Sequence, residues 1–183
     1  MNNLRLLLIC LYAIMVLPAF SSDQRKPGAA TAAKDYINKH LYLARLVHQE
    51  SGIPLPLILA VAGLESNWGR SELARYANNH FGIKAKDWEA AIYCKTTTEY
   101  YYGSFVASET EACFRRYRLI RDSYMDFYDF LRSRPYYRKL FEYSSLDYRS
   151  WAVGLQQANY GTDPNYASKL LRIIYDYRLD EIR

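Results

Sequence analysis

The stretch Leu55-Pro56-Leu57-Ile58-Leu59-Ala60-Val61-Ala62-Gly63-Leu64-Glu65-Ser66-Asn67-Trp68-Gly69 turns from apolar to polar at a single residue. Leu57 to Glu65 is apolar nearly all round, which predicts a helix central in the core. Pro54 and Pro56 stand at its start, where a missing N–H costs little. Glu65 falls where that helix runs out into a Trp/Gly turn, a poor place for charge. Partial desolvation raises a carboxyl pKa. A carboxylic acid still protonated near neutral pH can give its proton to a leaving group. The plainer alternative is a surface residue at a helix C-terminus, although the helix dipole disfavours a negative charge there. Trp68 beside it offers a flat face for a sugar ring.

Outward from this segment, the pattern is mostly helical. Tyr36, Ile37, Leu41, Ala44 and Val47 or His48 share one face of a helix expected over 32–50, with Gly52 placed to end it. Ser71 can cap a short helix through Tyr76, and residues 77–89 read as a turn-rich loop. Residues 91–100 and 108–117 are rich in Thr, Tyr, Val and Phe with Gly103 between them, which predicts a β-hairpin. Helices then resume. Asp122 or Ser123 can cap one carrying Tyr124, Phe127, Tyr128 and Leu131. Asp147 can cap one carrying Trp151, Leu155 and Ala158. Thr162-Asp163-Pro164 opens the last, with Pro164 at its first position. The expected class is α+β, mainly α: a helical domain with one inserted β-hairpin lobe and no internal repeat.

The ends and the composition narrow the setting. Arg5, the apolar run Leu6–Leu17, Pro18 and the small-residue pattern Ala19-Phe20-Ser21 read as a signal peptide over 1–21. Cys10 lies inside the apolar run, which does not resemble a lipoprotein cysteine. Residues 22–31 read as a linker and 32–183 as the domain. No second run is long enough to span a bilayer. The chain is mildly basic, with a formal charge of +5 spread along its length and no nucleic-acid motif. No nucleic acid is expected as a partner, and the mild basicity fits an anionic polymer surface. Nineteen Tyr residues supply apolar bodies with polar tips, fit either for packing or for a carbohydrate groove. Two cysteines, Cys94 and Cys113, remain beyond the signal peptide. In an oxidising compartment an even count suggests a disulfide. A fold-back at Gly103-Ser104 sets residue 94 opposite residue 113. The three His are scattered and no CxxC occurs, so neither a metal nor a cofactor is expected.

Two further residues join Glu65 as candidates. Glu99 lies in Thr96-Thr97-Thr98-Glu99-Tyr100, near the hairpin tip, where a solvated Glu is ordinary. Paired with Glu65 it acquires meaning, since glycoside hydrolysis commonly uses two carboxylates and a mobile hairpin can close on substrate. Tyr160, on the turn Asn159-Tyr160-Gly161, can face a cleft or pack the turn. No nucleophile elbow, phosphate-binding glycine loop or HExxH is present.

These segments occur in a familiar order: Glu50-Ser51-Gly52-Ile53-Pro54, Leu64-Glu65-Ser66-Asn67-Trp68-Gly69, Asn79-His80-Phe81-Gly82-Ile83-Lys84, Thr97-Thr98-Glu99-Tyr100, Cys113-Phe114-Arg115-Arg116-Tyr117 and Tyr160-Gly161-Thr162-Asp163-Pro164-Asn165-Tyr166-Ala167. Together they resemble glycoside hydrolase family 73, the glucosaminidase-type peptidoglycan hydrolases, which include the muramidase-like half of the flagellar rod-cap protein. The resemblance covers roughly residues 35 to 180, and several motifs in order are far more specific than one. It implies a lysozyme-like fold and cleavage of the β-1,4 bond after N-acetylglucosamine in peptidoglycan glycan strands. It implies Glu65 as general acid, Glu99 as second carboxylate and Tyr160 as an assisting tyrosine. It places Trp68, Phe81 and Lys84 in the groove, with Asn79 and Tyr100 counted as substrate-binding from the same motifs. Asn67, Asn159 and Gly161 depart from the usual pattern, and the cysteine pair is extra.

The expectation is therefore an exported endo-acting glucosaminidase, periplasmic or extracellular. It has no stable membrane span after signal cleavage. No cell-wall-binding repeat is present in the sequence, so a recruiting cell-wall protein is an expected partner. A muramidase or lytic transglycosylase would use the same Glu and leave different ends. A glycan-binding scaffold would keep the groove without needing the acid.

Overall fold

Helix α2 (Leu55–Ser66) ends up enclosed because it is apolar on every side. Leu57, Ile58, Leu59, Ala60, Val61 and Ala62 are all fully buried. A helix with an apolar circumference gains from neighbours all round it. Three helices supply them: α1 (Pro27–Ser51), α5 (Tyr148–Gln157) and α6 (Tyr166–Asp176). Each fully buried Leu, Ile or Val here contributes about 1.5–3 kcal/mol. The computed structural model describes residues 27–100 and 107–182. The expected signal peptide, residues 1–21, lies outside them.

α1 begins earlier than the sequence suggested. Residues 27–31, read as the end of a linker, form its first turn, with Pro27 at the start where the lost N–H is harmless. Ala33, Tyr36, Ile37, His40, Ala44 and Val47 make its buried face. Gly52 ends the helix at φ +73°, donating its N–H to the His48 carbonyl at 2.9 Å. Pro54 then caps α2 from a φ of −55°.

The helix α3 (Glu72–Ala77) starts as expected at Ser71, whose Oγ accepts the Ala74 N–H at 3.2 Å. A loop leads into strands β1 (Ile92–Tyr100) and β2 (Ala107–Arg115), a two-stranded antiparallel hairpin. The register pairs Cys94 with Cys113, as the fold-back predicted, and the two form a disulfide. The turn residues Gly103 and Ser104 lie outside the described residues. A small apolar cluster of Leu73, Ala77 and Phe114 seats the hairpin base on α3.

Beyond the hairpin lie α4 (Ile120–Ser133), a 3-10 helix (Pro135–Glu142), α5, α6 and a short 3-10 turn (Leu179–Glu181). Two helix starts differ from expectation. α4 begins at Ile120, so Asp122 sits inside its first turn and reaches back to accept the Leu119 N–H at 3.1 Å. α6 begins at Tyr166. Asp163 accepts the Asn165 N–H at 2.8 Å through its side chain and the Tyr166 N–H at 3.0 Å through its carbonyl, so Pro164 belongs to a turn before the helix. The 3-10 helix gave no clear sequence signal. It forms because Tyr137 and Leu140, three residues apart, both bury against the core. Among the described residues, no helix is long and apolar enough to cross a membrane.

Candidate active site

Glu65 occupies the last turn of α2, and the chain leaves that turn through two left-handed residues, Asn67 at φ 48° and Trp68 at φ 56°. Asn is among the few residues that take this conformation readily, which accounts for Asn67 at the helix end. Ser66 locks the exit: its hydroxyl donates to the Ala62 carbonyl and accepts the Gly69 N–H at 2.8 Å. The acid is thus fixed on a rigid element.

Two groups pack against the carboxyl of Glu65, a half-buried residue. Tyr166, at the start of α6, donates its hydroxyl to Glu65 Oε1 at 2.8 Å. Gly82 covers the other oxygen so closely that a Cβ there would lie 3.1 Å from Oε2. Burial pushes the Glu65 pKa up to about 7, against the smaller lowering from the Tyr166 hydrogen bond. Such an acid holds its proton near neutrality, the state a general acid requires.

The tyrosine pair differs from expectation. Tyr160 donates to the Phe81 carbonyl at 2.8 Å, and its ring packs among Phe127, Phe130, Tyr137 and Tyr166. It holds the loop that carries Gly82, while Tyr166 touches the acid. A helix-face reading finds Tyr166 as a core position. Only the meeting of α6 with α2 shows its hydroxyl reaching Glu65. Tyr166→Phe removes a bond that favours the charged carboxylate, so the Glu65 pKa should rise by about one further unit. The alkaline limb of kcat/KM then moves up by that amount, and a pH–rate profile checks it.

Three of the expected groove residues are taken up by packing. Asn79 is fully buried. Its amide donates to the carbonyls of Ile83 and Arg115, and its Oδ1 accepts the N–H groups of Phe81 and Ile83. It shapes the loop from within. Phe81 is 1% exposed and stacks on Phe127 at 4.3 Å, so its side chain is core. Trp68 lies over Gly63, where a Cβ would meet its ring at 2.4 Å, and packs edge-on against Tyr177 and Tyr36. Gly63 precedes Glu65 by two residues, about 200° round the helix, so the indole lies across α2 from the acid. Lys84 is exposed and pairs by backbone with Phe114. Glu99 and Tyr100 are on β1, opposite Ser108 and Ala107, and their side chains lie outside the described residues.

Behind the loop is a buried polar cluster the sequence did not reveal. The Tyr36 hydroxyl is hydrogen-bonded to His80 Nδ1 at 2.6 Å and lies 3.1 Å from the Tyr124 hydroxyl, while Ser123 accepts the His80 N–H. Burial pushes the His40 pKa down to about 4, with Lys39 adding to it. Burial and then the neighbouring His40 and Lys39 push His80 to about 3. Both folded values lie below the unfolded value near 6.5. The unfolded chain therefore binds more protons as pH falls, and stability present above pH 6.5 is lost toward pH 3–4. Glu65 acts oppositely between pH 7 and 4.5. In a Glu65→Gln background the unfolding free energy should fall by at least ~1 kcal/mol per pH unit between pH 6 and 4.5. Urea titrations at pH 7, 6 and 4.5 measure this; a flat profile contradicts neutral buried histidines.

Among the described residues, one group of three potential metal ligands lies together, Cys94, Glu111 and Cys113. Its two sulfurs are joined in the disulfide and offer no thiolate.

Comparison with known proteins places this fold in a family. The profile of a family described as mannosyl-glycoprotein endo-beta-N-acetylglucosaminidase matches residues 42–179. The chain is 37% identical over 159 residues to the peptidoglycan hydrolase FlgJ of Salmonella typhimurium, covering 84% of this chain and 48% of that protein. It is 32% identical over 152 residues to the exo-glucosaminidase LytG of Bacillus subtilis, covering 75% of this chain and 49% of that protein. The chain thus spans about half the length of these relatives. A peptidoglycan hydrolase mutant from Sphingomonas sp. A1 superposes with a TM-score of 0.70 at 29% identity, over 80% of this chain and 95% of that one. The truncated glycoside hydrolase domain of Salmonella typhimurium FlgJ does so with 0.60 at 36% identity, over 80% and 97%. The fold is that of the lysozyme-like glycoside hydrolase domains, and the chain belongs to the glucosaminidase family, glycoside hydrolase family 73.

Proposed function

We propose that this chain is an exported endo-β-N-acetylglucosaminidase that cuts peptidoglycan glycan strands, with Glu65 as its general acid. The observation that carries this is the Glu65 carboxyl, enclosed by Tyr166 and Gly82 with its pKa pushed up to about 7. Glu65 gives its proton to the glycosidic oxygen as the bond from the anomeric carbon breaks. Positive charge then develops on the sugar ring. Glu99 is the second carboxylate, stabilising that charge or orienting water. The alternative partner for the developing cation is the substrate's own 2-acetamido oxygen. Tyr160 serves either route by holding the Phe81 carbonyl and with it the loop over the acid. Export rests on the signal-peptide pattern of residues 1–21 and on a disulfide in the domain.

Mass spectrometry of peptidoglycan digested by the chain lacking residues 1–21 tests the reading. Reducing N-acetylglucosamine ends within the strands are expected. Single sugars released from chain ends would mean exo action, the mode named for the Bacillus relative. Muramic or anhydromuramic ends would move the cut to the other bond, and binding without cleavage would mean a scaffold.

A further inference from the structure

The loop that covers Glu65 is held on one side by Tyr160 at the Phe81 carbonyl and by α4, through Ser123 at the His80 N–H and Phe127 under Phe81. Its inner end is stitched to β2. Arg115 donates its backbone N–H to the Ile83 carbonyl at 3.0 Å, and Ala85 donates to the Cys113 carbonyl at 2.9 Å. Asn79 ties the Ile83 and Arg115 carbonyls together through one amide. The side of the loop that follows Gly82 is thus tied to the end of β2.

The end of β2 is in turn fixed to α4 by an ion pair. Arg115 is 6% exposed, and its Nη1 lies 2.6 and 2.8 Å from the two oxygens of Asp126. Tyr117 donates to the same carboxylate at 2.5 Å. The guanidinium lies 4.4 Å from the Trp88 ring centre and 5.7 Å from that of Phe130. Its Nε is buried without a partner. A buried ion pair is a poor source of net stability, since desolvation consumes much of the attraction. What it does supply is a defined geometry: Nη1 shared between both Asp126 oxygens, with the Tyr117 hydroxyl on the same carboxylate, orients β2 against α4.

We propose that the Arg115–Asp126–Tyr117 clamp is a positioning device for the acid, holding β2 and the 79–85 loop so that Gly82 keeps water off the Glu65 carboxylate. The proposal rests on the assignment of Glu65 as the acid. None of the three residues touches Glu65. The titratable groups that do face it are Tyr166, which binds it, and Tyr160, whose hydroxyl is committed to the Phe81 carbonyl. Neither contact involves the clamp. Loosening the clamp without changing its charge therefore acts on the acid through solvent access, and greater access lowers a carboxyl pKa that burial has raised.

The test is a carbon-13 NMR titration of the Glu65 carboxyl, assigned by its disappearance in Glu65→Gln. This measures the acid whether or not the chain cleaves glycan, so failure of the clamp and failure of the glucosaminidase reading separate. The native protein should show a midpoint near 7. Asp126→Asn keeps shape but leaves the Arg115 charge uncompensated, which lowers the midpoint by itself, so its fall of at least about one unit supports the clamp only together with a fall in the charge-neutral Tyr117→Phe. Tyr117→Phe removes one hydrogen bond and should shift the midpoint less, in the same direction. An unmoved midpoint in folded Asp126→Asn overturns the proposal. An unmoved midpoint in Tyr117→Phe overturns it whether or not Asp126→Asn folds.

Discussion

Glu65→Gln should lower kcat on peptidoglycan by about 10²–10⁴-fold, the range expected when a positioned general acid is removed. The fold should survive, because Gln keeps the shape and still accepts the Tyr166 hydrogen bond. It should in fact become more stable. The folded-state pKa of Glu65 is raised to about 7, above the ordinary value near 4.5. The native state therefore binds the proton more tightly. This contribution is intact below pH 4.5 and lost as pH rises to 7 and beyond. At pH 8 the ionised, enclosed carboxylate costs on the order of 3 kcal/mol, which the amide avoids. Equilibrium unfolding at pH 8 and at pH 4.5 should show a stabilised variant only at the higher pH. An inactive protein that is stabilised at high pH carries the signature of a site strained for chemistry. Residual activity near the native level would remove Glu65 from the acid's role. In the native enzyme, the same pKa should set the alkaline limb of kcat/KM near pH 7.

Gly82→Ala should be the second most damaging change for its size. Gly82 sits at φ +65°, where an L side chain meets about 1–2 kcal/mol of strain. The new methyl would also lie 3.1 Å from Glu65 Oε2, tight enough that the carboxylate or the loop must move. A displacement of roughly 1 Å at a catalytic group costs about 10²-fold in rate. The expected result is a kcat reduced about 10²-fold with only a modest fall in Tm. Gly52→Ala is the control. Its φ is +73°, so the strain is similar, but nothing lies within 4 Å of the added methyl. It should lose stability and keep its rate. If both variants keep full activity, the contact with Glu65 is immaterial.

Much of this molecule follows from local rules. The apolar circumference of Leu57–Glu65 predicts a central helix, and α2 is central. Gly52 and Ser71 end and start helices where a left-handed residue and a short hydroxyl belong. Asp147 caps α5 through the Ser150 N–H. The cysteine spacing predicts the register of the hairpin, because an antiparallel pair has a fixed sum of positions about its turn. Helix starts were less secure. Asp122 and Pro164 are residues common both at caps and one turn to either side, so each suits more than one position.

At the site the division is sharper. The sequence by itself determined that Glu65 would stand at the end of a buried helix, because that depends on the order of apolar and polar residues along the chain. It also placed the chain in its family through motifs in order. What surrounds the acid was decided only by tertiary structure. Phe81 and Asn79 belong to a groove motif, yet one fills the core and the other satisfies four backbone groups. Tyr160 and Tyr166 are six residues apart and chemically alike, and the packing of α6 on α2 selects Tyr166 for Glu65. Arg115 and Asp126 are eleven residues apart on different elements, a pairing that no local pattern signals. Local sequence sets which groups are available. Desolvation, hydrogen-bond geometry and pKa depend on distances between segments far apart in the chain, and these exist only once the chain has packed.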